Sequence, residues 1–330
     1  MIRSENGDQA RLLSVELCAG GGGQALGLER AGFEHVALVE YERHACATLR
    51  QNRPNWNVFE GDLKSFEATA YKGVDLVAAG VPCPPFSKAG KQLGDKDERD
   101  LFPEALRIVS ECRPKAVLFE NVRGLLDPIF DSYRAALMSR LDDLGYRGDW
   151  KLLNASDFEV PQLRPRAVCV AIEKDHWSKF KWPSSGQTKP PTVGAALFEL
   201  MSSRGWPDAM SWRDRANRIA PTLVGGSHKH GGPDLGPTRA KRAWAELGVD
   251  ALVLADAPPN PDHVGMPRLT VEMAARIQGF PKEWKFSGGK TAAYRQVGNA
   301  FPPPVATAVG QAIVDVLSKV PSQALVECAV

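Results

Sequence analysis

A chain of 330 residues, 43% hydrophobic and 24% charged, can bury a substantial core, which excludes a disordered or low-complexity protein. No apolar run reaches the ~18 residues of a membrane span. The opening Met-Ile-Arg-Ser-Glu-Asn-Gly-Asp lacks the basic-then-apolar pattern of a secretory signal, so a cytoplasmic protein without membrane attachment is expected. The six cysteines form no Cys-x-x-Cys pair, so they read as free thiols and no metal site is expected. Net charge is only +2, but residues 176–250 hold eleven Lys/Arg against six Asp/Glu, with three histidines, a local excess suited to a polyanion.

In chain order, Leu12–Leu17 reads as a buried strand that runs into four glycines and a helix from about Gln24 to Ala31. Val36–Val39 is a second strand and His44–Leu49 a helix. Val74–Ala79 is a third strand, Phe102–Glu111 a helix and Ala116–Phe119 a fourth strand. Tyr133–Leu144 and Ala167–Ile172 continue the alternation, which argues for a parallel, doubly wound α/β sheet. From Trp177 the texture changes to Gly- and Pro-rich turns for about 90 residues. Helical periodicity returns at Thr270 and closes with Pro304–Val320. The expected division is a catalytic and cofactor-binding domain at 1–176, a loop-rich domain at 177–266, and a return segment at 267–330 that completes the first.

Cys18-Ala19-Gly20-Gly21-Gly22-Gly23, between a strand and a helix, lets a ligand approach the backbone closely. Glu40 ends the next strand, placed for ribose hydroxyls, and Asp62 follows near a third strand end, placed for an adenine amino group. Together they favour a nucleoside site without deciding between a dinucleotide and S-adenosylmethionine. Gly80-Val-Pro82-Cys83-Pro84-Pro85-Phe-Ser87 is a stiff, proline-bounded loop that presents one thiol at the carboxyl edge of the sheet. Such a thiol is largely protonated at neutral pH and needs nearby positive charge for activation. Glu120 ends the following strand at the same edge, and Gln162-Leu-Arg164-Pro-Arg166 offers two guanidinium groups at alternate positions.

The ordered blocks Ala19-Gly-Gly-Gly-Gly, Pro82-Cys83, Glu120-Asn121-Val122, Gln162-x-Arg164-x-Arg166, Arg268 to Pro281 and Gln296-Val-Gly298-Asn299-Ala300 resemble the DNA cytosine-C5 methyltransferase family. The resemblance spans residues 12 to 310 and implies a Rossmann-like S-adenosylmethionine-dependent methyltransferase fold with a mostly parallel sheet. Residues 177–266 fall where the family carries its target-recognition domain. It implies that Cys83 adds to C6 of a flipped-out cytosine, that Glu120 contacts the N3/N4 edge, and that Arg166, supported by Arg164, holds the base carbonyl. Cys18, Ala19, Gly20, Gly22, Gly23, Glu40, Tyr41, Asp62, Leu63, Pro82, Leu101 and Asn299 would surround S-adenosylmethionine. Ser87 and Gln162 would lie along the cleft for double-stranded DNA, and Ser227, His228, Lys229 and His230 are expected to enter a groove. A bacterial restriction–modification enzyme, monomeric or weakly dimeric, is the expectation. Two departures stand out: Cys18 replaces an aromatic residue, and Pro84 replaces the glutamine that often follows the nucleophile.

Two rivals are weaker. An amino-methyltransferase acting on adenine N6 or cytosine N4 would explain Pro84-Pro85-Phe but has no use for Glu120-Asn-Val. A tRNA cytosine methyltransferase of the same family has a smaller recognition segment and a Cys-Phe-Thr triplet absent here.

Overall fold

The structure is a computed structural model and describes residues 11–82, 100–186, 189–226 and 232–319. β1 (Leu12–Leu17) leads into α1 (Gly23–Ala31), then β2 (Phe33–Glu40), α2 (Arg43–Asn52), β3 (Val58–Glu60) and β4 (Leu76–Gly80). α3 (Phe102–Cys112), β5 (Ala116–Val122), α4 (Asp131–Asp143), β6 (Tyr146–Asn154) and β7 (Pro165–Glu173) complete the large lobe up to the short α5 (Lys174–Trp177). α6 (Val193–Ser202), α7 (Ala209–Arg215), α8 (Thr238–Glu246), α9 (Val271–Ile277) and α10 (Lys290–Asn299) belong to a second body, and α11 (Pro303–Leu317) returns to the first.

The seven strands lie in the order β3-β2-β1-β4-β5-β7-β6. β3 through β5 pair in parallel, whereas β7 runs antiparallel to both β5 and β6. The strands of the central sheet are apolar on both faces because helices cover both. One face packs Val15, Leu17, Val77, Val117 and Phe119 against α3 and α4. The other packs Leu76, Ala78, Leu118 and Val168 against α1, Phe301 and α11, where Val305 and Ile313 lie. The strand order reverses direction between β1 and β4. That switch point leaves a crevice at the carboxyl ends of these strands, where open α/β sheets bind ligands.

The second body has its own core, in which Trp212 and Trp244 are fully buried beside Leu197, Met201, Val249 and Leu254. Met273, Ile277, Phe280, Tyr294 and Val297 share that core. The return segment therefore has two faces: up to Ala300 it shares a core with the recognition stretch while Trp284, Lys285 and Gln296 also bond the glycine loop and α2, and from Phe301 it packs on the large lobe alone. The apolar span Lys290–Leu317 is broken at Ala300–Pro302 and is mostly buried.

Candidate active site

The glycine loop is shaped by its backbone. Gly20 and Gly22 sit at φ +55° and +83°, in the left-handed region, and Gly22 caps α1. Cys18 is also left-handed, at φ +53°, which turns the chain out of β1 toward the crevice. Glu40, at the end of β2, accepts the Gly20 N–H on Oε2 at 2.7 Å, and the Tyr41 and Glu42 N–H groups on Oε1 at 3.0 and 2.8 Å. Its carboxyl is pushed up by burial, and these donors oppose that shift. Tyr41 beside it is 67% exposed, an uncovered ring at the crevice wall. Asp62, after β3, caps a short 3₁₀ turn by accepting the Lys64 N–H at 2.9 Å, and Leu63 is buried beneath. Leu101 caps α3 and packs at the edge of the core below the same crevice.

At the end of β4, Gly80 is in register with Glu120, and a Cβ on Gly80 would lie 3.5 Å from the Cys18 carbonyl and 3.9 Å from Glu120 Oε2. The buried acid and the glycine loop are thus neighbours across one glycine. Val122 is in register with Arg166, two residues beyond Glu120, so alternation puts Glu120 and Arg166 on one sheet face. Arg166 Nε stands 2.7 Å from Glu120 Oε1, with both groups about 90% buried. Burial raises the Glu120 carboxyl above its ordinary value, and Arg166 and then Arg164 restrain the rise. Asn121 Nδ2 donates to the Val81 carbonyl at 3.2 Å and anchors the chain that continues through Pro82 to residue 83.

Cys83 and Ser87 lie outside the described residues, as do Ser227, His228, Lys229 and His230. The described cysteines are unsuited to attack. Burial and the carboxylates of Glu40, Glu16 and Asp62 push the Cys18 thiol up, and burial likewise raises Cys46 and Cys112 to about 12 and Cys169 higher.

Gln162 and Arg164 are both tied into long-range bonds behind the site. Gln162 is fully buried, donating to the Ile277 carbonyl at 3.1 Å and to Gln278, and accepting from the Leu223 N–H at 3.1 Å; it does not line the cleft. Arg164 is also fully buried and bonds the carbonyls of Leu223, Gly298 and Ala300 at 2.8, 2.8 and 2.9 Å. It holds the recognition stretch and the Gln296–Ala300 block together, next to the Arg166 it was expected to support. Asn299 donates to the Gly226 carbonyl at 3.1 Å, between Gln296, which backs Gly21, and Ala300, which backs Gly23. Replacing Arg164 with methionine strands three carbonyls and should cost about 3–5 kcal/mol, since bonds to a charged donor contribute about 1.5–3 kcal/mol each and are not additive. Urea unfolding of the variant should show the drop in midpoint. An unchanged midpoint would mean these bonds contribute nothing.

Sequence reading missed Glu16. It lies on β1 in register with Ala78, on the same face as Glu120, with no exposed surface. Burial pushes its carboxyl up to about 8, the Gln24 amide offsets this in part, and the Glu120 charge adds to it. The folded protein therefore holds this proton more tightly than the unfolded chain does, so stability falls as pH climbs from about 4.5 toward 8. Glu16→Gln removes that titration. Its stability should match the parent near pH 5 and exceed it at pH 8 by on the order of a few kcal/mol, seen as a higher melting temperature at pH 8 only. Parallel pH profiles would refute this assignment.

The doubly wound sheet, with a glycine loop and a buried acid–guanidinium pair at its switch point, defines an enzyme that binds a nucleoside-bearing ligand beside a proton-handling site. The family described as C-5 cytosine-specific DNA methylase matches residues 12–315. Type II methyltransferase M.NgoMIV of Neisseria gonorrhoeae is 55% identical over 309 residues, 93% of this chain and 98% of that one. M.NaeI of Lentzea aerocolonigenes is 56% identical over 306 residues, covering 91% and 74%. The solved structure of Spodoptera frugiperda DNMT2, at 18% identity, shares the fold with a TM-score of 0.64 over 92% of this chain and 99% of that one. The chain belongs to the C-5 cytosine-specific DNA methylase family and is a DNA cytosine-C5 methyltransferase.

Proposed function

We propose that the enzyme methylates C5 of a cytosine extruded from a specific duplex DNA sequence, using S-adenosylmethionine and a transient Cys83–C6 bond. We further propose that it acts in the cytoplasm as the modification partner of a bacterial restriction system. The observation that carries this reading is the buried Glu120–Arg166 pair, set beside Gly80, which adjoins the glycine loop and precedes Cys83 by three residues in the chain.

The crevice fits S-adenosylmethionine. The Glu40 carboxylate faces the loop at the ribose position of such folds, left-handed Gly20 leaves open the space where a side chain would stand, and the exposed Tyr41 ring offers a stacking surface that Cys18 does not. When bound, this ligand supplies an electrophilic methyl on a sulfonium. The rest is done by the chain. Cytosine C5 is a poor nucleophile until a thiolate adds at C6 and the ring becomes enamine-like. Glu120, its proton favoured by burial, stabilises that adduct by protonation at N3. Arg166 directs Nε to Glu120 and Nη1 to the Pro165 carbonyl at 2.9 Å, which leaves Nη2 for the base carbonyl. Loss of the C5 proton and expulsion of Cys83 then restore the aromatic ring and the free enzyme. The base must leave the duplex first, at a cost of a few kcal/mol that contacts in the pocket offset.

Duplex DNA containing 5-fluorocytosine tests the proposal, because fluorine at C5 cannot leave as a proton. Incubation with S-adenosylmethionine should trap a denaturation-stable adduct that maps to the peptide holding Cys83. Methylation with no adduct, or an adduct at another residue, would overturn it.

A further inference from the structure

The wall of the glycine loop opposite β1 is built by the return segment. Trp284 Nε1 donates to the Gly21 carbonyl at 3.0 Å, while the Gly22 N–H donates to the Ala19 carbonyl at 3.0 Å. The peptide joining Gly21 and Gly22 is thereby held at both its polar ends. The Trp284 ring fills the space where a Cβ on Gly22 would sit, its Cζ2 2.7 Å from that point. Phe286 and Gln296 pack in the same way behind Gly21.

Trp284 is itself fixed from α2. The Arg53 guanidinium lies 5.3 Å from the centroid of Trp284 and 5.8 Å from that of Trp56, and is bonded to both carboxylate oxygens of Glu29 on α1. Asn52 exchanges bonds with the backbone of the next residue: Nδ2 to the Lys285 carbonyl at 2.7 Å, and Oδ1 from the Lys285 N–H at 2.9 Å. Thr48 Oγ1 accepts the Ser287 N–H at 2.8 Å and donates to Gln296 at 2.6 Å. One short stretch, 284–287, thus ties α2, which follows the Glu40 strand, to the loop that Glu40 also binds.

We infer that Trp284 is a positioning residue for the cofactor: through the Gly21 carbonyl and the Gly22 backbone it holds the glycine loop in the shape that receives S-adenosylmethionine. This rests on the cofactor reading above. The loop's left-handed turns cost conformational entropy to fix, and a loop already fixed before binding spares the ligand that cost. Because Trp284 lies in the core shared with the recognition stretch, the methyl donor's pocket and the DNA-reading body meet at this residue.

Trp284→Phe removes the donor and keeps an aromatic ring, smaller than the indole that fills the space beside Gly22. In the full-length enzyme without DNA, the dissociation constant for S-adenosylmethionine should rise about five- to tenfold, the effect of losing one such bond. KM for the cofactor should rise equally, with kcat at saturation within about twofold. Asn52→Ala, which loosens the seat of Trp284 from α2, should shift affinity in the same direction. Tyr146→Phe is the control, since it loses a comparable buried bond to the Pro114 carbonyl far from the loop; it should lower the melting temperature and leave cofactor affinity alone. Unchanged affinity in a folded Trp284→Phe enzyme would overturn the inference, as would an equal loss in Tyr146→Phe. Failure of the unaltered enzyme to bind S-adenosylmethionine would instead sink the cofactor reading itself.

Discussion

Replacing Cys83 with serine is expected to reduce 5-methylcytosine formation by roughly 10⁵–10⁶-fold, the scale on which deletion of a covalent nucleophile acts in other enzymes. A serine hydroxyl is not appreciably ionised at neutral pH, and nothing in the mechanism supplies a base strong enough to make it so. Binding of S-adenosylmethionine should persist, because the pocket built by Glu40 and the glycine loop does not depend on the sulfur. Bisulfite sequencing of plasmid DNA from cells expressing each form provides the measurement. Methylation at the normal rate without the thiol would require a different chemistry for the whole site.

The second large effect concerns Glu120. Glu120→Gln preserves size and a hydrogen-bonding edge but cannot deliver a proton, and it leaves Arg166 buried opposite a neutral amide. A loss in kcat of about 10²–10⁴-fold is expected, the usual contribution of a positioned acid. The loss should fall on kcat more than on KM for DNA, because the proton matters in the adduct and not in the first encounter. The pH profile should change with it. The parent loses activity on the alkaline side as Glu120 ionises, at a value raised above the ordinary carboxylate range, and the glutamine form should lack that limb. A variant with full kcat and an unchanged profile would remove Glu120 from the chemistry.

Much of this arrangement was readable in the chain. β1, β4 and β5 announce themselves as apolar runs because both faces of a central strand are covered, and the residues proposed for the site, Gly20, Pro82 and Glu120, follow the expected strand ends within three residues. The glycine loop was legible for the same reason that it works, since left-handed turns there leave little choice of residue. β6 was not foreseen. It is an edge strand with half its side chains in solvent, so Tyr-Arg-Gly-Asp-Trp-Lys carries no clean alternation, and its identity comes from pairing with β7. β3 has only three residues and exists through its register with β2. Gln162 was expected along the cleft and Arg164 in support of Arg166 because polar residues flanking a catalytic one invite that reading. Their real acceptors, at Leu223, Ile277, Gly298 and Ala300, lie 59 to 136 residues away for the bonds of Arg164 and Gln162, beyond the reach of local pattern. Met273 and Tyr294 show helical periodicity in the chain, but that they share a core with the recognition stretch is decided by tertiary packing.

The reversed direction of β7 gives the connection before it an unexpected importance. Because that strand enters the sheet at the end where the acid sits, Arg166 is only its second residue, and its phase is set by the length of chain from Asn154 to Pro165. Adding or deleting a single residue there would rotate the guanidinium to the far side of the sheet and turn Ala167 or Pro165 toward the carboxylate. The length of this stretch is thus constrained as tightly as the identity of its buried residues, Gln162 and Arg164 among them.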